Sequence, residues 1–262
     1  MGWSSVTSLV AATSRTAPFF LVALLVACNQ PAVEPTTTTV PTTTTTDAVI
    51  TTTLAPTTTS VAVTTTRPTT TSPPFAEFTV VITGVDQATL AHSWHEGCPV
   101  GTEDLAMITM PYWGFDDRSH QGRMVVHRSW TNEMVEVFGW LYRARYPIQS
   151  MIPIGDLSVG AEDQPGYSNT SGFHCRFVAG TTRWSQHAFG AAVDLNPHLN
   201  PLIDGDYIWP IGAERYADRT LGEPGMITSG DSVVGAFASV GWGWGGNFNS
   251  FKDYHHFSST GT

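Results

Sequence analysis

The stretch that decides the fold is SQHAFGAAVDLNP, Ser185 to Pro197. It places His187 seven residues ahead of Asp194, with Gly190 between them. The apolar run Ala191-Ala192-Val193 reads as a short strand that carries the carboxylate of Asp194 inward. An acid at the end of such a run is costly to bury unless its charge is compensated. Its partner must come from elsewhere in the chain.

Working outward, Phe78–Val85 is rich in β-branched residues and reads as a strand. Ala106–Phe115 and Gly122–His127 read as two more, joined as a hairpin by the polar turn DDRSHQ. From Thr131 the apolar positions Met134, Phe138, Leu141 and Tyr142 fall at helical spacing through Arg145, and Pro147 ends the segment. Pro147–Ile154 is extended again, and Gly155–Phe173 is a loop by composition. Ser229–Val240 reads as a short helix and Asp253–Ser258, DYHHFS, as a final strand. The order predicts an α+β fold, a small mostly antiparallel sheet flanked by helices.

The 262 residues divide by composition. Residues 1–28 carry one basic residue, Arg15, a short apolar run from Ala17 to Ala27, and Cys28, as a secretory signal does. The run is shorter than the roughly 20 residues of a membrane-spanning helix. Leu25-Val26-Ala27-Cys28 resembles the lipobox of bacterial lipoproteins, which implies lipidation of Cys28, a membrane anchor and an extracytoplasmic location. Residues 29–74 form a threonine- and proline-rich tract that cannot bury enough apolar surface to fold and is expected to be a disordered linker. As a coil it would span roughly 40 Å end to end. Residues 75–262 form the folded domain, expected to be a monomer.

Twenty acids against ten bases give that domain the whole formal charge of −10. Its single lysine, Lys252, and lack of basic patches argue against nucleic acid as a partner. Its two cysteines, Cys98 and Cys175, read as one disulfide in an exported protein.

His187 and Asp194 are two candidate ligands of a catalytic zinc site, which commonly takes three protein N and O donors and leaves a position for water. DYHHF supplies a third. Zinc hydrolysis also needs a carboxylate to move the proton of the water, and Asp253 precedes His256 by three residues. On an ideal strand Asp253 would share a face with His255, and His256 would lie opposite. Spacing alone does not choose between the two histidines.

Ser185-x-His187-x-x-Gly190-x-Ala192-x-Asp194, followed by Asp253-x-x-His256, resembles the two signatures of the zinc D-alanyl-D-alanine carboxypeptidases and L-alanyl-D-glutamate peptidases, of the lysostaphin and hedgehog type of zinc fold. The resemblance runs from about Gly97 to Phe257. It implies His187, Asp194 and His256 as Zn2+ ligands and Asp253 as general base. It further implies hydrolysis of peptidoglycan stem peptides, with D-Ala-D-Ala carboxypeptidase as the first expectation. An L-Ala-D-Glu or cross-link endopeptidase is the nearer alternative, since aspartate at the base position is more typical of that branch. A non-catalytic wall-binding module is the other alternative, and Asp253 argues against it.

Arg176 is a candidate for a substrate carboxylate or the oxyanion, with Arg183 as its rival. Ser185 either bonds substrate or caps a turn. Trp242 and Trp244 read as core, and His120, His127 and His174 as structural or exposed. His92, His95 and Glu96 lack the HExxH order of the zincins.

Overall fold

The computed structural model describes residues 77–262; Cys28, the signal-like segment and the linker lie outside the described residues. Strand β1 (Val81–Gly84) leads to the one-turn helix α1 (Gln87–Leu90), capped by Asp86, which accepts from the Thr89 amide at 2.8 Å. Strands β2 (Leu105–Trp113) and β3 (Ser119–His127) pair antiparallel from Leu105 opposite His127 to Trp113 opposite Ser119. β1 joins the free edge of β2.

The half of this hairpin nearest Leu105 and His127 is covered on both faces and is mostly apolar on both, while Ser119, His120, Gln121 and Arg123 of β3 are exposed. Ile108, Met110, Met124 and Val126 turn to the main core. Leu105, Met107 and Val125 turn to a smaller cluster with Leu90, Phe173 and Cys175. Cys175 is joined there to Cys98 by a disulfide with Cα atoms 5.9 Å apart, closing a separation of 77 residues.

Helix α2 (Thr131–Arg143) covers the main-core side. Its Met134, Val137, Phe138 and Leu141 form an i, i+3, i+4, i+7 stripe, all fully buried. Glu133 in its first turn and Arg143 in its last suit the helix dipole.

The chain then builds three further small sheets. β4 (Ser150–Met151) and β5 (Asn169–Thr170) pair in parallel. The remaining elements are β6 (Ala192–Asp194), β7 (Leu202–Asp204), β8 (Tyr207–Trp209), helix α3 (Ser232–Ser239), β9 (Gly243–Trp244), β10 (Lys252–Asp253) and β11 (His256–Ser258). They form the antiparallel sheets β6-β11-β9 and β10-β7-β8. Val193, Trp242, Trp244 and Phe257 belong to the main core, where Phe237 of α3 stacks on Phe257 at 3.8 Å. Both tryptophans are core residues, as expected. Among the described residues no helix is long and apolar enough to cross a membrane.

The α+β class stands, with four small sheets in place of one. The strand expected over Phe78–Val85 forms only at Val81–Gly84, an exposed edge, and the extended stretch Pro147–Ile154 only at Ser150–Met151. DYHHFS is not one strand. It breaks at Tyr254-His255, so that β10 and β11 lie in different sheets. Backbone bonds hold the break: the Tyr254 amide donates to Pro201 and the Leu195 amide to the His255 carbonyl. The β7–β8 hairpin, turning at Gly205-Asp206, went unread in the sequence because each strand is only three residues long.

Candidate metal centre

Sheet β6-β11-β9 builds the centre. β11 runs antiparallel to β6 with His256 opposite Asp194, so both side chains emerge on one face. The Ser171 backbone brackets Asp194 through two hydrogen bonds: the Asp194 amide donates to the Ser171 carbonyl at 2.9 Å and the Ser171 amide to the Asp194 carbonyl at 3.1 Å. His187 comes from the 3₁₀ turn Gln186–Phe189, whose N-cap Ser185 accepts from the His187 amide at 3.3 Å. That turn ends at Gly190, with φ +62°, where a Cβ would collide with the His127 backbone. The glycine of the motif is thus required twice, for its left-handed conformation and for its close approach to β3.

Three donor atoms meet here. His187 Nε2 lies 3.1 Å from Asp194 Oδ1 and 3.2 Å from His256 Nδ1, and His256 Nδ1 lies 3.1 Å from Asp194 Oδ1. All three residues are buried, at 3, 7 and 8 % exposure for His187, Asp194 and His256. His187 Nδ1 donates to the Gly172 carbonyl at 2.6 Å; a carbonyl only accepts, so in the neutral ring Nε2 presents a lone pair to the other two. Tetrahedral bonds of about 2.0–2.1 Å put ligand atoms about 3.4 Å apart. The observed triangle is close to one face of such a tetrahedron, and two imidazoles with a carboxylate suit zinc. The residues fit the ion.

Burial alone would raise the pKa of Asp194. The surrounding imidazoles of His187, His255 and His256 outweigh it and hold the carboxyl well below the usual range. This compensation answers the question that the buried acid posed.

Asp253 stands beside the centre through His255. The His255 ring is buried, with Nδ1 donating to the Asn200 carbonyl at 2.7 Å and Nε2 2.9 Å from Asp253 Oδ1 and 3.9 Å from Asp194 Oδ1. The Asp253 contact is close but misaligned, and Oδ1 has no well-formed hydrogen bond. It is an ion contact with one oxygen still unsatisfied. Burial opposes protonation of His255, but the charges of Asp253 and Asp194 prevail and push its pKa up to about 9. Trp209 of β8 meets the ring edge-on at 5.3 Å. Asp253 does share the side of His255, through a turn and not through strand alternation.

The centre opens into a cleft of about 800 Å³ that Ser185, Arg176 and Arg183 also line. Ser185 therefore both caps the turn and borders the cleft. Arg176 precedes the short Phe177–Trp184 hairpin, whose rings stack at 3.9 Å, and Arg183 lies within it. Neither arginine makes an ion pair among the described residues. His174 also lines the cleft, its pKa pushed down to about 3 by burial and by Arg176. His120 pairs with Asp116 and His127 with Ser129, both away from the triangle. His95 lies at the disulfide, 3.5 Å from Cys175 Sγ. Sequence reasoning missed Gly172 and the pairing role of His255. Gly172 carries no side-chain signal, and what requires glycine there is the Val125 carbonyl of β3, with which a Cβ would collide.

A buried pair of histidines and an aspartate, open to a cleft and flanked by a further carboxylate, defines the class: a candidate hydrolytic metal centre. Residues 179–259, which contain both motifs, match the family model described as D-alanyl-D-alanine carboxypeptidase. The matched segment is similar to this family of metallopeptidases, whose enzymes are in general zinc-dependent. Arg176 and the disulfide fall outside the match. No solved structure matches the chain.

Proposed function

We propose that the domain is a zinc D-Ala-D-Ala carboxypeptidase acting on peptidoglycan stem peptides, with His187, Asp194 and His256 holding the ion and Asp253 as general base. The observation that carries this reading is the triangle of donor atoms at 3.1–3.2 Å beside a carboxylate with an unsatisfied oxygen. Zinc held there would supply Lewis acidity and a water of lowered pKa. Asp253 takes the proton of the attacking water and returns it to the departing amine. His255 fixes the orientation of Asp253, and Gly172 fixes the ring of His187. Arg176, unpaired on the cleft wall, receives the substrate carboxylate, and Ser185 borders the same site.

The setting belongs to the same proposal: an extracytoplasmic, monomeric enzyme tethered by lipid at Cys28, with peptidoglycan peptides and no nucleic acid as partners. The Cys98–Cys175 disulfide supports an oxidising compartment. The alternative specificity, an L-Ala-D-Glu or cross-link endopeptidase, is favoured by the short side chain of Asp253.

Mass spectrometry of muropeptides with pentapeptide stems distinguishes them. Loss of one alanine, absent with Asp253→Ala, supports the carboxypeptidase. A larger fragment supports the endopeptidase. Retention without cleavage by the zinc-loaded domain leaves a binding module.

A further inference from the structure

One charged group on the cleft wall has no part in the chemistry above. Glu162 lies in the 3₁₀ turn Ala161–Asp163, lines the cleft, and has a side chain 34 % exposed. Its nearest basic neighbour is His174 Nδ1, at 3.5 Å from Oε2. That contact is an ion pair only when His174 is protonated. It is also too long for a good hydrogen bond. Among the described residues no lysine or arginine nitrogen lies within 4 Å of the Glu162 carboxylate. Burial raises the pKa of Glu162, and the charge of Arg176 offsets this only in part.

The wall therefore offers two opposite charges to the cleft, Arg176 and Glu162, near enough to act on each other yet not joined. A half-buried carboxylate without a contacting cation is a place where a ligand's cation gains most. Resting on the carboxypeptidase reading, we propose that Glu162 is a specificity determinant that receives an ammonium group of the substrate, so that the cleft selects peptide ends bearing both a free carboxylate and a nearby amine. In a stem peptide such an amine is the side chain of a diamino acid upstream of the scissile bond. Glu162 acts in binding and touches no reacting atom.

The test compares Nα-acetyl-L-lysyl-D-alanyl-D-alanine with its Nε-acetylated twin on the zinc-loaded protein and on Glu162→Gln, which keeps the shape of the side chain. D-alanine release should show the wild type with a KM about tenfold lower for the free amine, a gap that Glu162→Gln closes while kcat stays within about twofold. Equal losses on both peptides in the variant, or no discrimination by the wild type, overturn the proposal. Hydrolysis of neither peptide by the wild type sinks the carboxypeptidase reading alone. Calorimetric binding of the same two peptides then decides on Glu162, since a preference for the amine that disappears in Glu162→Gln supports it and equal affinities refute it. A thermal melt confirms that the variant is folded.

Discussion

Asp194 and His256 stand directly opposite each other across β6 and β11, with Oδ1 3.1 Å from Nδ1, although 62 residues separate them. An antiparallel register thus sets the geometry of the cluster, and His187 completes it from a turn pinned against β3. Two side chains held by strands and one by a capped turn are placed more rigidly than loop residues would be.

The division of labour between ligands and base gives a first expectation. Asp253→Asn should lower kcat by about 10²–10⁴-fold, the usual worth of a positioned general base, with zinc content unchanged. Metal analysis beside steady-state kinetics checks this. Loss of zinc in the variant would make Asp253 a ligand instead.

His255 makes stability depend on pH. Its pKa stands at about 9 in the fold against 6.5 for a free imidazole, so the native state binds the proton more tightly than the unfolded chain does. The resulting stabilisation is whole below about pH 6.5, shrinks as the pH climbs toward 9, and is gone above it. Its size in the metal-free domain is on the order of 3 kcal/mol. Urea unfolding of the metal-free wild type and His255→Gln should show a gap at pH 6 that closes by pH 10. A constant gap would contradict the ion contact with Asp253.

Gly190 admits little change. An alanine there must adopt φ near +62° and push its Cβ into the His127 backbone, so Gly190→Ala should cost about 3 kcal/mol and lower Tm by roughly 6–12 °C. Differential scanning calorimetry measures it.

The Cys98–Cys175 bond closes a long loop across the smaller apolar cluster. Replacing both cysteines by serine should destabilise the domain by about 4 kcal/mol on the chain-entropy account. Chemical denaturation with and without a reductant checks this: the reductant should weaken the wild type and leave the variant unchanged.

The sequence exposes this site unevenly. The stripe of α2 and the β2–β3 hairpin were legible because their periodicity is local. The clustering of His187, Asp194 and His256 was legible through the motifs, since His187, Gly190 and Asp194 lie within eight residues and each spacing has a local cause. The break in DYHHFS was not, because it is imposed by Pro201 and Leu195, some 50 to 60 residues away, and a two-residue strand leaves no period to read. The choice between His255 and His256 had the same limit. Both are buried, and only the register with Asp194 separates the ligand from the residue that holds Asp253.

The central claim is that a zinc ion at His187, Asp194 and His256 drives peptide hydrolysis. The most direct measurement strips the domain of metal, returns zinc in steps, and follows D-alanine release from a pentapeptide stem, with Asp194→Ala in parallel. Activity that rises linearly to one equivalent of zinc, and that Asp194→Ala never regains, is the expected result. Full activity in the stripped protein, or in Asp194→Ala, would contradict the account.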